Sequence, residues 1–241
     1  MRRALGALFL TSSLACVATE ENPPPIQDSV AEFARRVASP APTRCAAGET
    51  LVLAVPLDED APLEAAYDAV RGRLRLLYRM AFNQLTEGWN WHPENTAAGG
   101  DYYVFKYLPV GSASEDRGGY RGEDKIGAPQ DFRVQWRYDY FLAFDNPYEF
   151  YAPEGDDTGF AAEVALPAEE ADRLVRGDLR MAVRARLAAN CLSDSTTFWK
   201  ATSARPVDFT LKKRYFVGKL DEVWFHDAKS GKTLARFVPR R

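Results

Sequence analysis

The sequence predicts an α+β fold, a mostly antiparallel β-sheet (a sandwich in its variant form) packed against one long helix in the N-terminal half. Three observations lead there. Apolar residues between positions 60 and 88 recur at spacings of three and four, the mark of a helix. From residue 101 onward the spacing changes to two, the mark of half-buried strands. The chain is 46% hydrophobic and 12% aromatic, which supplies a core and separates it from disordered chains.

The N-terminus comes first. Met1-Arg2-Arg3 is basic, and Ala4 to Ala15 is mostly apolar. That run is about twelve residues, inside the secretory range and short of the roughly 20 that span a bilayer. An export signal is expected over residues 1–18, or over 1–15 with Cys16 retained. Ser13-Leu14-Ala15-Cys16 resembles a bacterial lipoprotein signal, in which a thiol following a small residue becomes thioether-linked to lipid. The resemblance covers the first sixteen residues. It implies lipidation of Cys16, a membrane contact made through the anchor alone, and an outer-membrane lipoprotein facing the periplasm, since Val17 rather than Asp follows. The alternative is cleavage after Ala18, with Cys16 and Ala18 as the small residues of an A-x-A-like site, giving a soluble periplasmic or secreted protein.

Residues 19–44 are expected to form a spacer and a short helix. "TEENPPPIQDS" is acidic and proline-rich, so it reads as extended chain. Asp28 to Ser39 carries Val30, Phe33 and Val37 at helical spacing, and Pro40 and Pro42 end it. Residues 45–241 are then read as a single globular domain. Thr50 to Leu57 is a buried strand bounded by Gly48 and Pro56. Asp60 and Pro62 open the long helix, Leu63, Tyr67, Val70, Leu74, Leu77, Ala81 and Leu85 form its stripe, and Gly88 closes it. Arg71, Arg73, Arg75 and Arg79 fall on its solvated side.

Asp101 to Pro109 reads as a strand. Gly111 to Gln130, with five glycines and mixed charge, reads as a long loop. Phe132, Val134, Trp136, Tyr138, Tyr140, Leu142 and Phe144 then alternate with Arg133, Gln135, Arg137 and Asp139, the strongest strand signal in the chain. Phe160 to Leu166 alternates likewise, and Pro167 to Gly177 is a helical turn or two. Leu179 to Leu187 is a strand with Arg180, Arg184 and Arg186 outward. Val207, Phe209 and Leu211 form another. The chain closes on a hairpin whose turn, Asp227 to Lys232, contains Gly231.

Either fate of Cys16 leaves two cysteines, Cys45 and Cys191, and in an oxidising compartment a disulfide between them is expected. It would close a loop of about 146 residues, for which chain entropy gives roughly 5 kcal/mol.

The chemistry is sparse. Lys+Arg 31 against Asp+Glu 34 gives a net charge of −3, so no nucleic-acid partner is expected, and Lys212-Lys213-Arg214 reads as a solvated strand end. His92 and His226 are the two histidines, without metal-ligand spacing. The acidic turn Glu154 to Gly159 lacks the alternating ligands of an EF-hand. Nucleophile elbows, P-loops and dinucleotide glycine fingerprints are missing, so no catalytic residue, metal or cofactor is assigned. Trp89, Trp91, His92, Tyr102 and Tyr103 are the binding candidates, alone or with the Gly111–Gln130 loop, because aromatic faces with polar tips suit recognition. The other reading places those aromatics in the core. The function expected is an exported, non-catalytic binding or structural module whose partner is an envelope protein or polymer. The alternative is an exported hydrolase acting on a glycan or peptide through paired carboxylates drawn from Asp101, Asp139 and Asp145.

Overall fold

The computed structural model describes Val30, Phe33, Ala34 and residues 48–57, 61–79, 106–123, 126–150 and 159–240. Strands make up 68% of it. In chain order they are β1 (Thr50–Val55), β2 (Leu63–Asp68), β3 (Arg73–Arg79), β4 (Lys106–Glu123), β5 (Pro129–Phe144), β6 (Gly159–Ala165), β7 (Leu179–Trp199), β8 (Val207–Asp227) and β9 (Thr233–Phe237). One short helix, α1 (Ala168–Arg173), runs into a π-turn at Leu174–Asp178. Among the described residues no helix is long and apolar enough to cross a membrane.

The strands form two sheets. The larger runs β1-β7-β8-β5-β4, with β9 on the C-terminal half of β8, and the smaller runs β2-β3-β6. Every pairing is antiparallel except β5 with β8. Both sheets turn their alternating apolar residues into one shared core. Leu74, Leu76, Tyr78 and Phe160 come from the smaller sheet, and Leu51, Leu53, Met181, Val183, Phe216 and Phe225 from the larger. Ala171 and Leu174 of α1 and its π-turn join that core. Phe33, helical with Val30 and Ala34, sets its ring edge-on against Phe216 at 5.0 Å.

The long N-terminal-half helix is not present. Residues 63–79 are the β2–β3 hairpin, paired from Leu63↔Tyr78 to Asp68↔Arg73. Leu63, Tyr67, Leu74 and their neighbours fit a helical stripe, yet Leu74, Leu76 and Tyr78 are all buried while Arg73 and Arg75 are exposed, a period of two. The turn between the strands is built by Asp68, whose Oδ1 accepts from the backbone N–H of Val70 and Arg71 at 3.0 Å each, and by Gly72 at φ 63°. Ala81, Leu85 and Gly88 lie outside the described residues.

The expected Gly111–Gln130 loop is also corrected. Most of it is the two arms of a hairpin, β4 and β5, paired as far as Glu123↔Pro129. It carries no amphipathic signal because the ribbon projects past the core, so that Lys106–Pro109 is buried to half-buried and Ser114–Arg121 is exposed throughout. Two bulges, between Pro109 and Gly111 and between Asp116 and Gly119, absorb several of its glycines. β7 and β8, which pair antiparallel, project likewise. Each is 21 residues long, about 70 Å at a strand's rise, and the separate strands expected at Val207 and Val223 are one.

Cys191 is buried among the apolar residues of the core, at 1% exposure. Cys45 lies outside the described residues, and no disulfide pair is found among the described ones. Cys16 is outside them as well.

Candidate functional site

The projecting halves of β4, β5, β8 and β7 carry the face of the larger sheet that deeper in the molecule meets the core. Strand alternation places Tyr140, Tyr138, Trp136, Val134 and Phe132 on it from β5. The parallel register adds Arg214, Lys212, Thr210 and Asp208 from β8, opposite Tyr140, Tyr138, Trp136 and Val134. β4 adds Glu115 opposite Trp136 and Tyr120 opposite Phe132. β7 adds Asp194, Thr196 and Phe198, opposite Arg214, Lys212 and Thr210.

The rings form a row along the strand with one break, at Val134. Phe216 and Tyr140 stack at 6.3 Å, Tyr140 and Tyr138 at 6.4 Å, Tyr138 and Trp136 tilt at 6.2 Å, and Phe132 and Tyr120 stack at 5.3 Å. The row passes from wholly buried Phe216 to exposed Tyr120, and Phe198 beside it is 57% exposed. It therefore leaves the core as a core and ends as a surface.

Cations sit on these rings. The Arg117 guanidinium lies 4.3 Å from the Trp136 ring centre, and the Lys212 ammonium 4.4 Å from it. Arg214 lies 5.4 Å from Tyr138. Cation–π contacts of this kind hold long side chains in place at modest gain, about 0.5–1 kcal/mol where exposed. The remaining charges are matched. Arg117 pairs with Glu115 at 3.1 Å and Arg214 with Asp194 at 3.4 Å. Tyr120 donates to Asp208 at 2.9 Å, which also accepts from the Ala201 N–H at 2.6 Å. Burial pushes the Asp194 carboxyl up, against the pull of Arg214 and Lys212. Hydrogen bonding to Asp208 raises the Tyr120 phenol. Lys212 has no carboxylate within ion-pair distance among the described residues, and the Trp136 ring is its nearest described partner.

Two clefts flank this region. One of about 420 Å³ lies on the distal ribbon between Tyr120, Phe132, Arg121 and Asp131. The other, about 360 Å³, lies at the foot of the ribbon and is lined by Pro56, Pro62, Pro109 and Tyr140.

The binding residues expected from sequence, Trp89, Trp91, His92, Tyr102 and Tyr103, lie outside the described residues, as do Asp101 and most of the acidic turn Glu154–Gly159. Asp139 pairs with Arg137 at 2.8 Å. Asp145 follows it by six positions along one strand, on the order of 20 Å, well beyond the separation of a glycosidase pair. These two carboxylates therefore do not form a site with each other. His226 is buried rather than solvent-facing, and burial with the nearby Arg180 charge pushes its pKa down. Among the described residues no group of three or more His, Cys, Asp and Glu is placed to hold a metal.

Trp136, Tyr138, Lys212 and Arg214 went unselected as site residues in the sequence. Their signal was there, because β5 keeps alternating aromatic residues over more length than a buried strand needs. Lys212-Lys213-Arg214 is no strand end, since it lies within β8 beside those rings.

No family model matches this chain, and neither curated proteins nor solved structures gave a significant match.

Proposed function

We propose that the protein is an exported, non-catalytic binding module, held at the cell envelope by lipid on Cys16, which engages an envelope partner through the distal face of its larger sheet. The observation that carries this reading is Trp136, fixed between Arg117 and Lys212 on a part of the sheet that reaches beyond the core. An aromatic ring with ordered cations on it offers contact area at small entropic cost. A strand built for stability alone would bury such a ring against a second sheet.

The test is retention on isolated cell envelopes of the full chain carrying Cys16→Ser, so that the lipid does not hold it there. Trp136→Ala and Lys212→Gln are each expected to weaken retention by about tenfold and threefold while melting stays cooperative. Unchanged retention in both variants would sink the proposal. The Trp89–His92 and Tyr102–Tyr103 stretch is proposed as a second contributor, on its composition, and Trp89→Ala with Trp91→Ala in the same assay checks it. The anchor is checked separately by mass spectrometry of the N-terminal peptide, in which a mature end at Thr19 would rule it out.

A further inference from the structure

The charge pattern of the distal face narrows what it can hold. Resting on the reading above, we infer that the partner is an extended glycan carrying few negative charges, laid along β5 from half-buried Tyr138 towards exposed Tyr120. The face is aromatic but not basic. Its cations are Arg117, Lys212 and Arg214, and its carboxylates are Glu115, Asp194 and Asp208. A polyphosphate or an anionic lipid surface would meet three carboxylates for three cations, and so gains little from counterion release. A sugar chain gains from the same arrangement. Its C–H faces pack on aromatic rings, while its hydroxyls find donors and acceptors in Arg117–Glu115 and Arg214–Asp194, which hold one another in place.

The shape agrees. The accessible rings run from half-buried Tyr138 and Trp136 to exposed Tyr120, opposite buried Phe132, for about 20 Å along the strand, which suits a linear chain. The flanking clefts at the two ends are open surface features rather than a closed pocket. Lys212, the cation whose nearest described partner is a ring, is the position for an occasional carboxylate on the glycan.

The experiment is co-sedimentation of the full chain carrying Cys16→Ser, so that no lipid contributes, with purified peptidoglycan sacculi, with vesicles containing phosphatidylglycerol, and with oligo(dT). Binding to sacculi is expected, changing less than about threefold between 50 and 200 mM salt, where a protein making 6–10 phosphate contacts loses about 10³–10⁵. Trp136→Ala should lower it about tenfold. Lys212→Gln, a surface exchange that leaves the fold intact, should lower it about threefold. Binding to vesicles or oligo(dT) in preference to sacculi overturns the glycan assignment and leaves the face as the binding surface. Binding to sacculi that both variants retain overturns the assignment of this face. Failure on all three probes by a protein still retained on whole envelopes overturns the glycan assignment alone, and failure on envelopes too removes the broader reading with it.

Discussion

Asp227 accepts four hydrogen bonds, from Arg173 Nη1 and Nη2 at 2.9 and 2.8 Å, Ser230 Oγ at 2.6 Å and the Lys229 N–H at 2.9 Å. The Arg173 guanidinium chiefly holds its carboxyl well below its ordinary value of 3.8. Asp227→Ala is therefore expected to cost about 2 kcal/mol or more, since it removes charge-assisted bonds at the base of the β8–β9 turn. Chemical denaturation reads the loss directly. Two neighbouring groups also set the acid response. Burial pushes His226 below its ordinary 6.5, so from about pH 6.5 downward the unfolded chain takes up a proton that the folded chain refuses, and stability falls. Asp227 acts in the same direction at lower pH: its contribution is complete above 3.8 and fades as pH drops below it. Melting temperature should thus fall in two stages, and His226→Gln should erase the first. A midpoint that stays flat between pH 7.5 and 5.5 would refute the His226 assignment. At this scale the sequence was poorly legible. His226 stood at a hairpin entrance and looked solvated, because nothing local announces that Trp224 and His226 both point to a covered side of the sheet.

The β4–β5 hairpin is the element on which the candidate site depends. Gly111 marks the place where it leaves the core. Its φ is 151°, and an added Cβ would come within 2.7 Å of the Val30 Cγ1. Gly111→Val should therefore displace the helical turn holding Val30 and Phe33 and cost about 1–3 kcal/mol, as overpacking does. A tryptic cut appearing near Arg35 or Arg36 would mark that displacement, and unaltered melting would refute it. β4 is also an edge strand, 18 residues long, and it is guarded against pairing with other chains by Pro109, two bulges and the charges Glu115, Asp116 and Arg117. Sequence reading found β5, β6 and the α1 turn because each has one wet and one dry side, and the β8–β9 hairpin from its apolar arms and the Gly231 turn. It failed at the β2–β3 hairpin and at the β4 arm, for opposite reasons. The β2–β3 hairpin alternates correctly, but Leu63, Tyr67, Leu74 and Leu77 also satisfy a helical rule. The β4 arm is wet on both sides and so shows no period at all.

For the molecule as a whole, strand content and antiparallel pairing were legible from alternation, whereas the β5–β8 parallel contact was not, because pairing between residues 133 and 207 leaves no trace in either stretch. The expected bond between Cys45 and Cys191 is proposed still. Thiol counting on the denatured, unreduced mature protein should find none free, and two would refute it. β7 and β8 are paired along nearly their full lengths, from Leu179↔Asp227 to Trp199↔Phe209. A pull on a partner held at the distal end acts along those strands, so it loads many interstrand hydrogen bonds side by side in shear instead of opening them one at a time. β8 is also the parallel partner of β5, which carries most of the aromatic row, so a load on the proposed partner would pass into the core through bonds acting in shear.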